Sequence, residues 1–281
     1  MQKLLICTDL DRTLLPNGTQ PESPEARTIF TRLVSRPEVY LVYVSGRNLA
    51  LVQEAIQEYD LPAPHWIVGD VGSTMYKFEG DRWKSWQNWT QQIAGDWRGF
   101  NAIDLEPLFS DLAEISHLVL QEPDQQSRFK LSYYLPLDIE KDALQQYIKL
   151  RLEEQNIAAS LIYSVDEAKE IGLLDILPAR ATKLHAAEFL MGQLNFDDSN
   201  TVFAGDSGND LPMLISAVPS VLVANAPDDI IAQSLQQAKK LGNTHRLYLA
   251  QGGFLGMNGN YSAGILEGIV HYYPDTKRWI E

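Results

Sequence analysis

A single cysteine in 281 residues excludes an internal disulfide framework and a thiolate metal cage. Cys7 lies inside an apolar run, where it reads as a small core residue rather than a nucleophile. No apolar stretch approaches the roughly 20 residues of a membrane span, and no signal peptide is read ahead of the first strand. With the lone cysteine fitting a reducing compartment, the expectation is a cytoplasmic protein away from any membrane. Positive charge is also scarce. Lysine and arginine number 23 against 37 aspartates and glutamates, a formal net charge of -14, which disfavours non-specific binding to nucleic acid or anionic lipid. An anionic substrate must then be captured by local cations. The histidines (His65, His117, His185, His245, His271) are scattered without ligand spacing, and no repeat or low-complexity tract is evident. What remains is ordinary for a globular chain, 45% hydrophobic and 21% charged, and long enough for a core that needs no staples.

The most informative stretch is Leu4-Leu5-Ile6-Cys7-Thr8-Asp9-Leu10-Asp11-Arg12-Thr13. An apolar run of buried-strand length breaks into Asp9 and Asp11, which an extended chain places on one side. Two carboxylates so close repel and resist desolvation unless a cation, a proton or water compensates them. Taken alone, the triplet fits a polar turn as well as a site.

The following segments alternate strand and helix. A loop over Pro16–Ser23 precedes a helix near Pro24–Ser35, a strand Val39–Val44 ending in Ser45-Gly46-Arg47, a helix near Asn48–Tyr59, and a strand Trp66–Val68. Nearly continuous apolar strands between helices indicate a doubly wound parallel sheet, an α/β, Rossmann-like core. From about Tyr76–Asp81 the pattern changes. Strands near Arg128–Leu135 and Ser160–Val165 alternate apolar and polar residues, with a charged amphipathic helix over Ile139–Asn156 between them. This reads as an inserted α/β cap over 84–171, with the core formed by 1–83 and 172–281 and hinges near Arg82–Lys84 and Glu170–Leu173. The core pattern is expected to resume with a strand Leu173–Leu177, a helix Ala181–Leu194, strands Thr201–Ala204 and Val221–Ala224, and a last helix Ala263–Tyr273. Trp83, Trp86, Trp89 and Trp97 crowd the cap entry; spacings of three favour a packed helical stripe over sugar stacking. Gly252, Gly253, Gly256 and Gly259 lack the Lys-Ser/Thr of a nucleotide P-loop.

Ligands of an open parallel sheet gather at the carboxyl ends of its strands. Four polar clusters follow or lie near such ends: Asp9–Thr13, Ser45–Arg47, Lys183, and Gly205-Asp206-Ser207-Gly208-Asn209-Asp210. Carboxylate oxygens suit a hard cation, and an ammonium with a hydroxyl suits phosphoryl oxygens. In this order the clusters resemble the four motifs of haloacid dehalogenase superfamily phosphatases (DxDx[TV], a strand ending in Ser or Thr, a Lys, and GDxxxD) without a departure. The cap position is that of the subgroup with a large α/β cap. Gly205–Asp210, Val223-Ala224-Asn225-Ala226, Ala263-Gly264-Ile265-Leu266-Glu267 and Lys130-Leu131-Ser132-Tyr133 further resemble sucrose-phosphate phosphatases.

The resemblance implies that Asp9 attacks phosphorus to form an aspartyl phosphate, while Asp11 protonates the leaving sugar oxygen and then activates water. It implies Mg2+ held by Asp9, the Asp11 carbonyl and Asp206, with Asp210 anchoring a metal-bound water or orienting Lys183. Ser45, Gly46 and Lys183 would bind phosphate, and Thr13 would brace the Asp9–Asp11 loop. Arg47 would touch the phosphate or make a salt bridge. Lys130, Ser132 and Asn209 are the candidates for sugar contact; a solvated sheet face and a turn-forming Asn are the plain alternatives. The expected substrate is a sugar phosphate, foremost sucrose 6-phosphate, with sucrose-phosphate synthase a conceivable partner and a monomer the expected state. The rivals are phosphatases of mannosylfructose phosphate or mannosyl-3-phosphoglycerate, and a non-catalytic sugar-phosphate-binding module.

Overall fold

The computed structural model describes residues 3–166 and 169–280. Its strands, in chain order, are β1 (Leu4–Thr8), β2 (Val39–Val44), β3 (Trp66–Gly69), β4 (Thr74–Glu79), β5 (Arg82–Ser85), β6 (Val119–Leu120), β7 (Leu131–Leu135), β8 (Ala159–Asp166), β9 (Ile171–Pro178), β10 (Thr201–Gly205), β11 (Ser220–Leu222) and β12 (Leu247–Leu249). The larger sheet runs β12-β11-β10-β1-β2-β3-β4-β5, parallel from β12 to β3 and antiparallel at β4 and β5. The smaller sheet, β6-β7-β9-β8, is antiparallel throughout.

β1 is central, and all of its residues are buried. Alternation sends Leu5 and Cys7 to one face, where they join Val42, Val44, Phe203 and the apolar side of the helix Lys183–Leu194. Leu4 and Ile6 go to the other face, with Leu41, Tyr43 and Val202 under the helices Ala26–Val34 and Ser262–Tyr272. Helices on both faces explain why these strands are apolar along their whole length. Strand order reverses between β1 and β10, the crevice where α/β sheets of this kind collect ligands.

Two expectations are corrected. The run Leu173–Leu177 does not return the chain to the large sheet. It lies within β9, the inner strand of the small sheet, flanked by β7 and β8. β9 is also nearly all buried, and an inner strand covered on both faces is as apolar as a core strand. The segments expected to hinge, Arg82–Lys84 and Glu170–Leu173, instead lie in β5 and, from Ile171 on, at the start of β9. The chain leaves the large sheet after Ser85 and returns to it only after Pro178. The four tryptophans do not form one helical stripe, because Trp83 lies in β5, Trp86 precedes the helix Gln87–Ala94 and Trp97 ends the turn Gly95–Trp97. Packing is borne out for Trp89 and Trp97, which are buried, and Trp89 Nε1 donates to the Gly72 carbonyl at 2.9 Å.

The small sheet sits over the carboxyl end of the large one. β8 lies against residues 208–210, and Asn48, which caps the helix Leu49–Glu58, donates through Nδ2 to the Asp124 carbonyl at 3.0 Å. Among the described residues, no helix is long and apolar enough to cross a membrane.

Candidate active site

The β1–β10 register sets Thr8 opposite Ala204, and the Asp9 N–H donates to the Ala204 carbonyl at 2.9 Å. Asp9 and the Gly205-Asp206 corner therefore emerge side by side. Gly205 is required there, because a Cβ on it would lie 2.6 Å from Asp210 Cγ. Lys183 begins its helix behind the Thr182 N-cap and reaches into the same space. Its Nζ lies 3.0 Å from Asp9 Oδ1 and donates to Asp210 Oδ1 at 2.7 Å and Asn209 Oδ1 at 2.8 Å. Asp210 Oδ2 accepts from the Asp206 N–H, the Ser207 N–H and Ser207 Oγ, each at 3.1 Å. Both Asp210 oxygens are thus committed, one to orienting Lys183 and the other to closing the loop. Thr13 Oγ1 donates to Asp206 Oδ1 at 3.0 Å, and the Arg12 guanidinium lies 3.5 Å from Asp206 Oδ2.

Asp9, Asp206 and Asp210 are buried, and each offers an oxygen within 4.8 Å of the others. Burial drives the Asp9 carboxyl well above its ordinary range, with Lys183 opposing and the neighbouring aspartates adding to the rise. Burial also lifts Asp206 to about 7, reinforced by Asp210 and opposed by Thr13, Arg12 and Lys183. Burial disfavours the charged Lys183 ammonium, yet Asp210 and Asp9 outweigh it and the lysine pKa rises. One buried cation among three buried carboxylates leaves an anionic excess. An all-oxygen donor set with that excess fits a hard divalent ion such as Mg2+.

This imbalance has a measurable consequence. A carboxyl with a raised folded pKa keeps its proton in the folded state after the unfolded chain has released its own, so stability falls as pH rises through that window. The metal-free protein should therefore lose stability from about pH 4, the ordinary carboxylate value, up to about 7, where Asp206 ionises. Mg2+ requires the ionised forms, so the Tm gain on adding it should be larger at about pH 8 than at about pH 5. Equal gains at both would contradict a cation site here.

Asp11 behaves differently. Its side chain is 41% exposed, against 6% for Asp9. Arg47 grips it with two bonds, Nε to Oδ2 at 2.8 Å and Nη2 to Oδ1 at 2.7 Å, and Asn17 Nδ2 donates to Oδ1 at 2.7 Å. Partial burial pushes the carboxyl up, but the Arg47 bonds and charge, Asn17 and Lys183 bring it below its ordinary value. Of the two roles open to Arg47, the structure supplies the salt bridge. Ser45 is buried at the end of β2, its Oγ accepting the Arg47 N–H at 3.1 Å. A Cβ on Gly46 would lie 4.0 Å from Asn209 Nδ2, so the two are neighbours.

Lys130 and Ser132 form a separate group. Lys130 immediately precedes β7 and Ser132 lies in it; both are buried, and Ser132 pairs with Asp175 of β9. Lys130 Nζ donates to the Gln125 carbonyl at 2.8 Å and lies 3.4 Å from Asp175, to which Ser132 Oγ also donates. The Asp70 carboxyl, in the turn after β3, is pushed up by burial and eased by the Lys130 charge and by the hydrogen bond it accepts from Thr74 Oγ1. No direct hydrogen bond or ion pair among the described residues joins Lys130 or Ser132 to the Asp9–Lys183 cluster. Sequence reasoning missed Asn17, Asp175 and Asn225 as site-supporting residues; the carboxylate in the middle of the apolar run Leu173–Leu177 was the available signal for Asp175.

Comparison with known proteins accords with this geometry. A family model described as sucrose-6F-phosphate phosphohydrolase matches residues 2–273. A protein of Nitrosococcus oceani described only as a HAD-like hydrolase is 52% identical over 280 residues, spanning 100% of this chain and 74% of that one. A mannosylfructose-phosphate phosphatase of Agrobacterium fabrum is 27% identical, covering 95% of this chain and 96% of its own. An X-ray structure of the sucrose-phosphatase from Synechocystis, in complex with sucrose and phosphate, aligns with a TM-score of 0.75 at 25% identity, over 97% of this chain and 99% of that one.

Proposed function

Because the chain belongs to the sucrose-6F-phosphate phosphohydrolase family of the haloacid dehalogenase superfamily, we propose that it is a sugar-phosphate phosphatase that hydrolyses sucrose 6-phosphate to sucrose and orthophosphate. The observation that carries this reading is the Asp9–Lys183–Asp210 cluster beside Asp206, at the carboxyl end of β1 and under β8. Asp9 is the nucleophile: one oxygen rests on Lys183 while the other is free to attack phosphorus and displace the sugar oxygen. Lys183, the Ser45 hydroxyl hydrogen and the Gly46 N–H hold the phosphoryl oxygens. Asp9, Asp206 and the Asp11 carbonyl would hold Mg2+, whose charge would offset repulsion between the anionic nucleophile and the phosphate.

Asp11 gives the departing sugar oxygen its proton, then takes one from the water that cleaves the aspartyl phosphate. Both Asp11 oxygens rest on Arg47, so an incoming phosphate dianion competes for that guanidinium. Losing Arg47 raises the Asp11 pKa at the moment an acid is needed. The small sheet with its helices acts as the cap that excludes water and reads the sugar. The Lys130–Ser132–Asp175 group would be reached by the sugar as the cap settles.

The Agrobacterium relative, matched over nearly the whole chain, keeps a second glycosyl phosphate in contention. Phosphate release should be assayed across sucrose 6-phosphate, mannosylfructose phosphate, mannosyl-3-phosphoglycerate and simple hexose phosphates, with and without Mg2+. The highest kcat/KM is expected for sucrose 6-phosphate. An equal or higher value for another glycosyl phosphate overturns the sugar assignment, and no metal-dependent release from any of them overturns the enzyme.

A further inference from the structure

Arg12 sits in the left-handed region at φ 58°, a backbone conformation that residues other than Gly, Asn and Asp adopt only occasionally. The peptides on either side of it are each held by an asparagine side chain. In front, the Arg12 N–H donates to Asn17 Oδ1 at 2.8 Å; behind, the Arg12 carbonyl accepts from Asn225 Nδ2 at 2.6 Å. Each asparagine is tied down in turn. Asn17 Nδ2 donates to Asp11 Oδ1 at 2.7 Å, and Asn225 Oδ1 accepts the Tyr261 N–H at 2.8 Å. Tyr261 is itself at φ 51°, and its hydroxyl donates to the Gln20 carbonyl at 3.0 Å. The turn after Asp9 is therefore strapped both to its own loop and to the segment after β11.

A planar trans peptide points its N–H and its C=O to opposite sides. With the Arg12 N–H fixed on exposed Asn17, the Asp11 carbonyl of the same peptide faces away from Asn17. The turn lies against buried Asp206, to which Thr13 Oγ1 donates. We infer that Asn17 and Asn225 are positioning residues that hold the Asp11–Arg12 turn so that the Asp11 carbonyl faces the cation site at Asp9 and Asp206. A backbone carbonyl has no rotamer of its own, so only the conformation of the turn can aim it. The inference rests on the proposal that Mg2+ binds at this cluster.

The test is Mg2+ affinity by isothermal titration on the full chain, for the parent, Asn17→Ala, Asn225→Ala and the double variant, with Tm in chelator and steady-state kinetics alongside. Each single change should weaken Mg2+ binding about tenfold, at the lower end of what outer-shell partners cost. The double variant should be much less than a hundredfold weaker, about thirtyfold at most, because both side chains restrain one turn. Asn17 is exposed, so Asn17→Ala should keep the parent Tm in chelator, and it decides the matter should Asn225→Ala fail to fold. A folded Asn17→Ala protein binding Mg2+ within twofold of the parent overturns the inference. A parent that binds Mg2+ yet releases no phosphate overturns the enzymatic reading, and the variant affinities still decide this one. A parent that binds no Mg2+ overturns both.

Discussion

Asp9→Asn is expected to lower kcat at least about a thousandfold, on the order of 4 kcal/mol of transition-state stabilisation, in a chain that stays folded. The substitution preserves shape but removes the anionic oxygen that would attack phosphorus. The fold should not suffer, because Asp9 is a buried carboxylate whose charged form is disfavoured by burial and by Asp206 and Asp210 nearby. Lys183 keeps Asp210 at 2.7 Å as its partner. Tm in chelator should therefore equal or exceed that of the parent, the usual relation when a charge kept for chemistry is neutralised. Steady-state kinetics at saturating Mg2+, paired with thermal unfolding, check both halves. A variant within tenfold of the parent rate rules out the aspartyl-phosphate route, and a large fall in Tm would mean that Asp9 is structural.

The parts of this site that were legible in the sequence are those fixed by strand ends. β1 and β2 are continuously apolar because helices cover both faces of the sheet, and each run stops where the backbone reaches the ligand crevice. Asp9, Ser45 and Asp206 could be read there, and Lys183 followed from its place at a helix start. The same signal misled at β9, since an inner strand of the small sheet is buried nearly as thoroughly as a strand of the core. β12, with three residues, and the helix Asp228–Leu241 passed unread, the former because so short a strand carries no periodicity. The partners of Asp11 were hidden for another reason. Arg47 and Asn17 reach it from 36 and 6 positions away, and Asn225 meets the next residue from 213 positions away. Such contacts are made by chain topology and leave no spacing to find. For Lys130 and Ser132, alternation placed both on one face of the strand, while Asp175 opposite them comes from the strand misassigned to the core.

Lys183→Met should cost both stability and turnover, and the dependence of the stability loss on pH separates its causes. Lys183 is the only cation in hydrogen-bond or ion-pair contact with Asp9 and Asp210 among the described residues, and it is buried. Removing one partner of a buried ionic cluster leaves uncompensated charge, at a cost of about 3–5 kcal/mol. Methionine fills most of the lysine stem, so a cavity contributes little. The cost should be greatest in chelator at about pH 8, where the carboxyls are forced to ionise, and should shrink toward about pH 5, where Asp9 and Asp206 can hold protons instead. Mg2+ should recover part of the loss at high pH by supplying the missing positive charge, yet it cannot restore kcat, because the ammonium that grips the phosphoryl group is gone. Urea unfolding at the two pH values, with and without Mg2+, reads this directly. A loss that is the same at both pH values would mean that lysine packing matters rather than its charge, and full activity in the variant would remove Lys183 from the phosphate site.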